Sequence, residues 1–470
     1  MNIKKILKNI NIFISFCGDC DEINSRFLIS FLMSFICMVV YSYLHRDITF
    51  GGDAYETWNV AKHFYEPNRL HSFVEYRGPF TFIFHNIIYS ISQFLNVNDV
   101  VFFRLYSSLL FALLTSYFFP YLFSYILNMK IWLASLFLFS GMVFFFFRGY
   151  FLHPQTDFLA FTFLLLSVNL LVFASYNHKN SYNSYLYYCA AGVLFGCSVM
   201  TRYNYILSLP FLVLFLMLTL QSRQTNKLLT FKLLTCFAIP CIVLVSTNSL
   251  STNNKLTSNN LLELKLKDGM LHQKIEWNAG DAKYPGALVV PERRGSEILR
   301  IEGVDTDPYN GLSVEKYFEL YKKYPLDMVL ISLQHLFNGL DITYSSVYIY
   351  DLHASRVLLS LVNYLVIFLS LVILSTKFSL WWRSEKFPLL LLSAIVIPTM
   401  SSIPFMVEVR FFMPLTMTFI GISIFGLRDS TNTIKANGLH MYLAFFVALC
   451  FLLSASVLVN AEKVIPLKIW

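Results

Sequence analysis

Asp53 and Glu56 lie three residues apart in Phe50-Gly51-Gly52-Asp53-Ala54-Tyr55-Glu56-Thr57-Trp58, directly after the first long apolar segment of the chain. That spacing puts both carboxylates on one side of any helix beginning at this turn. The two glycines ahead of them let the backbone turn sharply where an apolar helix meets water. A carboxylate there is in reach of anything held at a membrane surface and can take the proton of a hydroxyl, the work of a general base.

A second acid, Asp157, closes the turn Arg148-Gly149-Tyr150-Phe151-Leu152-His153-Pro154-Gln155-Thr156-Asp157 at the start of another apolar segment. The helix dipole favours an acid there, and Thr156 or Asp157 would equally serve as a helix cap. Paired with Asp53 it can orient an acceptor hydroxyl, and the two together are the pair to hold a divalent metal if one is used. His153 is a candidate substrate contact in the same turn.

Two cations complete the set. Arg202 in Met200-Thr201-Arg202-Tyr203-Asn204 and Arg410 in Glu408-Val409-Arg410-Phe411-Phe412-Met413-Pro414 each stand in a short turn between apolar segments. A guanidinium grips phosphate through parallel N–H groups and stabilises the charge on a departing phosphate. Tyr203 and Glu408 are neighbouring substrate-binding candidates, although Glu408 could instead be a plain ion-pair partner for Arg410. Arg77, just before Gly78-Pro79, is a weaker phosphate candidate, and Lys62, His63, Arg69 and His71 are weaker again. Taken singly, any of these charges could be an interfacial anchor; several on one face call for a site.

The elements that must position them are membrane spans. Hydrophobic residues make up 56% of the 470, charged residues only 14%, and the mean hydropathy is +0.57, which excludes an ordinary soluble globular protein. Apolar runs near 27–45, 100–127, 131–147, 158–174, 185–200, 205–220, 233–248, 354–375, 387–403, 411–427 and 440–460 predict about eleven spans. Residues 79–95 are short, open with Pro79 and carry His85, Asn86, Ser90, Ser92 and Gln93, so an interfacial helix is expected. With that helix lying flat, Lys4, Lys5, Lys8, Lys130, Lys179, Arg223, Lys227, Lys232, Lys377, Arg383, Lys386, Arg428 and Lys435 all fall on one side, as the positive-inside rule requires. The N-terminus is then cytoplasmic, the C-terminus is outside, and all the candidate site residues share the outer face. The net charge of +8 belongs to these anchors, and no nucleic-acid partner is expected.

The chain divides into a transmembrane module over 1–248 with its first outer loop at 45–99, an outer cap over 249–340, and further spans over 341–470. The polar part of the cap, 249–325, is too long for a simple loop and small for a domain, and Leu326 to Leu340 reads as another interfacial helix. Six of the eight cysteines lie in apolar segments, where Cys packs as a small hydrophobe. Cys17 and Cys20 form a CxxC with no second pair to complete a zinc site. Walker A loops, dinucleotide fingerprints, HExxH and nucleophile elbows are absent.

In order and spacing these elements resemble the GT-C class of integral membrane glycosyltransferases, similar to protein O-mannosyltransferases, lipid A aminoarabinose transferases and O-antigen-modifying transferases. The resemblance runs over roughly 27–220 and Glu408 to Pro414. The class opens its first outer loop with an acid, matched by Asp53, followed by a Pro-led helix, matched from Arg77-Gly78-Pro79-Phe80 onward. A second acid after the third span matches Asp157, a basic residue after a Gly-containing span matches Arg202, and an Arg-aromatic-x-x-Pro pattern matches Arg410 through Pro414. Class members often carry an Asp-Glu dipeptide; here Ala54 follows Asp53 and the next acid is Glu56.

The resemblance implies an all-α polytopic membrane protein with a GT-C-like fold. It implies an enzyme of the bacterial inner membrane that moves a sugar from undecaprenyl phosphate to a polysaccharide or lipid-linked acceptor on the periplasmic face, as in O-antigen and lipopolysaccharide biosynthesis. An O-antigen polymerase joining lipid-linked repeat units is the alternative. A lipid-linked sugar flippase ranks last, because few charges lie inside spans and no internal repeat is visible.

Overall fold

The computed structural model describes residues 20–64, 78–127, 130–176, 182–222, 227–251, 257–278, 286–307, 310–344, 346, 357–384, 387–436, 442 and 445–447. Among them, helices carry most of the chain. The first is α1 (Cys20–Leu44), followed after a short bend by α2 (Gly52–Lys62) and α3 (Pro79–Phe94). Then come α4 (Asp99–Leu113), which continues through a π turn at Leu114–Phe118 into α5 (Phe119–Leu127), α6 (Leu133–Phe147), α7 (Thr156–Tyr176) and α8 (Tyr182–Thr201). A 3-10 turn at Tyr203–Ser208 leads into α9 (Leu209–Ser222), and α10 (Lys227–Ser251) ends the first half.

Among the described residues, eight helical segments are long and apolar enough to cross a membrane, and the apolar helices Leu133–Phe147 and Pro388–Met400 are shorter. Ten of the expected runs therefore correspond to helices; the run at 440–460 lies outside the described residues except at 442 and 445–447. The 16 residues of α3 reach about 24 Å, short of a hydrocarbon core of about 30 Å. Thr81, Phe82, His85, Asn86 and Ile88 pack inward on α3, while Ile87, Ile91 and Phe94 are exposed.

The expectation of an all-α chain needs one correction. After α11 (Thr257–Leu271), β1 (His272–Asn278) and β2 (Gly286–Pro291) pair antiparallel, with Ile275 opposite Val289. The alternation of Ile275 and Trp277 and the run Leu288-Val289-Val290 carry this signal weakly inside a polar stretch. The rest of this region is α12 (Arg293–Ile301), α13 (Val314–Lys323) and α14 (Pro325–Leu340). These pack around their own core of Leu266, Met270, Ile298, Leu299, Tyr317, Leu320, Met328 and Ile331. The chain then enters α15 (Val357–Trp382), α16 (Pro388–Met400), a 3-10 turn at Val409–Phe412, and α17 (Met413–Ala436). Pro414 falls in the first turn of α17, where its missing N–H has no helical partner to lose.

The main core is a set of interlocked rings and aliphatic side chains between spans, including Phe119, Phe139, Phe161, Leu164 and Phe425. Several polar groups inside it are bonded, which offsets the cost of burying them in an apolar medium. Ser116 in the π turn meets Ser30 of α1 at 3.0 Å, and the Asn169 amide of α7 donates to the Phe118 carbonyl at 3.1 Å. Pro398 cannot donate to the Ala394 carbonyl one turn back in α16, and the Ser208 hydroxyl does so instead at 2.6 Å. The Asn204 amide donates to the Pro398 carbonyl at 2.9 Å. A proline in α16 thus anchors the turn that follows Arg202.

Gly78 closes the other side of that region. A Cβ there would fall on the Met200 carbonyl at the end of α8, backbone against backbone. Gly78→Ala is therefore expected to destabilise the protein by about 1–3 kcal/mol, read as a lower melting temperature of the purified protein in detergent.

Candidate functional site

Asp53 is placed by a chain of local devices. The Arg104 guanidinium of α4, 4% exposed, donates to the carbonyls of His45 at 2.9 Å, Arg46 at 3.4 Å and Ile48, and so fixes the bend after α1. Gly52 then takes a left-handed φ of 46°, which a side chain would disfavour, and α2 starts. Phe50 packs edge-on against Trp58 and Phe103. Trp58 donates to Asp99 at 3.0 Å and Lys62 pairs with the same carboxylate, so α2 is tied to the start of α4. Lys62 is thereby engaged in a structural pair.

Asp157 sits in the first turn of α7, reached from a 148–155 turn that Ser107 holds by donating to the Phe151 carbonyl at 2.6 Å. Arg202 is the extended residue, φ −146°, between α8 and its following 3-10 turn. Glu408 is likewise extended, φ −123°, ahead of the turn that carries Arg410. Its neighbour Val407 is paired on both sides of its backbone: Ile275 N–H donates to Val407 O at 3.0 Å, and Val407 N–H donates to Gln273 O at 3.2 Å. Val407 thus bridges to β1 at Lys274. His335 of α14 meets the Ile403 carbonyl at 2.6 Å, and a Cβ on Gly339 would strike the Phe412 ring.

These elements bring five of the expected residues into one cluster. Arg410, its side chain 6% exposed, binds Asp53 at 2.9 Å and Glu408 at 2.8 and 2.9 Å, and lies 3.8 Å from Asp157. Arg202 pairs with Asp157. Gln155, buried and absent from the sequence-based set, accepts from Arg410. It lies two residues before Asp157, and only that adjacency could have flagged it. Phe411 was also missed, and both guanidiniums lie over its ring.

The other expected residues fall around the cluster. Glu56 is exposed one turn along α2 from Asp53, and Tyr203 is 44% exposed beside Arg202. His153 is buried next to the Phe50 ring, and burial, with the charge of Arg104, pushes it down to about 3, so it is neutral near pH 7. Arg77, with Arg69 and His71, lies outside the described residues.

Among the described residues no group of three or more His, Cys, Asp or Glu side chains gathers as a metal site does. Asp53 and Asp157, the pair named for a divalent ion, both face Arg410, whose guanidinium stands where a shared cation would stand. In this arrangement they do not fit a metal.

Breaking a buried ion cluster by removing its cation strands the partners, at about 3–5 kcal/mol. Arg410→Gln is expected to lower the melting temperature strongly, and adding Glu408→Gln should recover part of the loss. A single variant as stable as the parent would show that the cluster contributes nothing to stability.

No family model and no curated protein matches the chain. Among solved structures it is similar to the oligosaccharyltransferase of Archaeoglobus fulgidus in the apo form, with a TM-score of 0.44 and 11% identity, over 93% of this chain and 55% of that one. It is also similar to the archaeal oligosaccharyltransferase AglB of the same organism in complex with an inhibitory peptide and a dolichol-phosphate, with a TM-score of 0.42 and 12% identity, over 93% of this chain. This chain spans 55% of the length of each.

Proposed function

We propose that this chain is a membrane glycosyltransferase of the GT-C kind, moving a sugar from a polyprenyl-phosphate donor to an acceptor hydroxyl. The observation that carries the reading is the gathering of Asp53, Asp157, Glu408, Arg202 and Arg410, from segments up to 357 residues apart, at the ends of apolar helices. Among the three carboxylates, Asp53 is the accessible one, with its side chain 39% exposed against 7% for Asp157 and 11% for Glu408. That difference favours Asp53 as the group that meets the acceptor.

In the proposed reaction Asp53 takes the acceptor's hydroxyl proton as the oxygen attacks the anomeric carbon. The bond from that carbon to the phosphate oxygen breaks, and the phosphate leaves with the electron pair. Arg202 and Arg410 stabilise its charge, while Asp157 orients both arginines. Glu56, His153, Tyr203 and Arg77 are proposed as flanking contacts for donor or acceptor. The donor's tail would lie against the aromatic-rich spans.

In its finer form the proposal is a bacterial inner-membrane enzyme using undecaprenyl phosphate. It would have a cytoplasmic N-terminus, a periplasmic site and a surface polysaccharide of the O-antigen type as acceptor. The basic residues gathered on one side of the predicted topology support that orientation. The division into 1–248, 249–340 and 341–470 belongs to the same proposal, with α3 and α14 lying in the interface.

Asp53→Asn keeps size and hydrogen bonding but removes the base, so transfer should fall by about two to four orders of magnitude at normal protein level. Near-parental transfer in membranes would sink the assignment. Deleting the gene and running the surface polysaccharide on a gel tests the acceptor. An intact ladder lacking one branch sugar is expected, whereas a ladder collapsed to single repeat units would mean a polymerase.

A further inference from the structure

One aromatic ring lies against both arginines of the cluster. The Phe411 ring centre is 4.6 Å from the Arg202 guanidinium carbon and 5.4 Å from that of Arg410. The two carbons are therefore at most 4.6 plus 5.4, or 10.0 Å, apart. Like charges at such a distance repel. Asp157 offsets that by pairing with Arg202 and lying near Arg410, and Asp53 and Glu408 do so by pairing with Arg410. The electron-rich face of the ring adds an attraction for each cation.

The ring is itself held. Phe411 is half-buried and backs onto the cluster of Leu340, Val407, Phe412 and Leu415. It belongs to the 3-10 turn fixed by β1 and α14. An aliphatic side chain could fill the same space but would offer no charge-attracting face. Two long arginine side chains left to find a phosphate separately would each lose rotamer freedom on binding it.

We propose that Phe411 is a positioning residue that holds Arg202 and Arg410 as a preformed pair for a single phosphate group, that of a polyprenyl phosphate. The proposal rests on the donor reading above. Phe411 touches no reacting atom; it acts through the two guanidiniums.

The test uses the full-length protein in detergent, titrated with farnesyl phosphate as a short-chain probe. F411L should weaken binding about tenfold and F411Y should stay within about twofold of the parent, with melting temperatures measured to show that each variant is folded. Equal binding by F411L and the parent would overturn the proposal. A second readout needs no lipid: the rate at which phenylglyoxal modifies Arg202, followed by peptide mass spectrometry, should rise in F411L and not in F411Y. An unchanged rate would also overturn it. If the parent itself fails to bind the probe while Arg202 is modified faster in F411L, the donor reading falls and the ring's hold on the arginines stands.

Discussion

A buried guanidinium shared by acids from distant parts of the chain is the constraint on which this structure depends. Arg410 is almost wholly removed from water, and an unmatched cation at that depth would cost several kcal/mol. It is tolerated because Glu408, Asp53, Asp157 and Gln155 meet it from several directions. None of these partners is effective unless its own helix end arrives in register. Arg104 sets the bend ahead of Asp53, Ser107 fixes the turn ahead of Asp157, and Ser208 with Asn204 holds the turn after Arg202.

The same logic explains why the polar chemistry gathers at the helix ends. Inside the spans, several polar side chains donate to backbone carbonyls, as with Ser198 to Ala160, Ser167 to Ala191 and Ser370 to Val366. Such bonds satisfy groups that lipid cannot. At the ends, the backbone leaves helical geometry at Gly52, Arg202 and Glu408. Side chains there can turn toward one another and away from their own helix.

Much of this was legible in the sequence, because length and apolarity define a span and a charge at its end stands out against it. Asp53, Asp157, Arg202, Glu408 and Arg410 were all visible in that way, and the Glu408 pairing with Arg410 was foreseen as the plainer alternative. What could not be read were contacts joining residues far apart in the chain. Gln155 meets Arg410 across 255 positions, and Asn204 meets Pro398 across 194. The strand pair escaped notice because its apolar alternation is short and lies among charges. The role of Phe411 was hidden for another reason: an aromatic beside an arginine in an apolar chain looks like packing.

The backbone pairing of Val407 with β1 has a consequence for how such a protein can change. The 257–340 region is not an appendage that can be exchanged while the spans keep the cluster intact. Its first strand serves as the template against which the Glu408 to Arg410 segment is laid. A chimera that took this region from another protein would inherit that protein's spacing of Arg410 from Asp53. Cluster geometry would then vary with the exchanged region, and 257–291 and 404–414 would have to be transplanted as a pair.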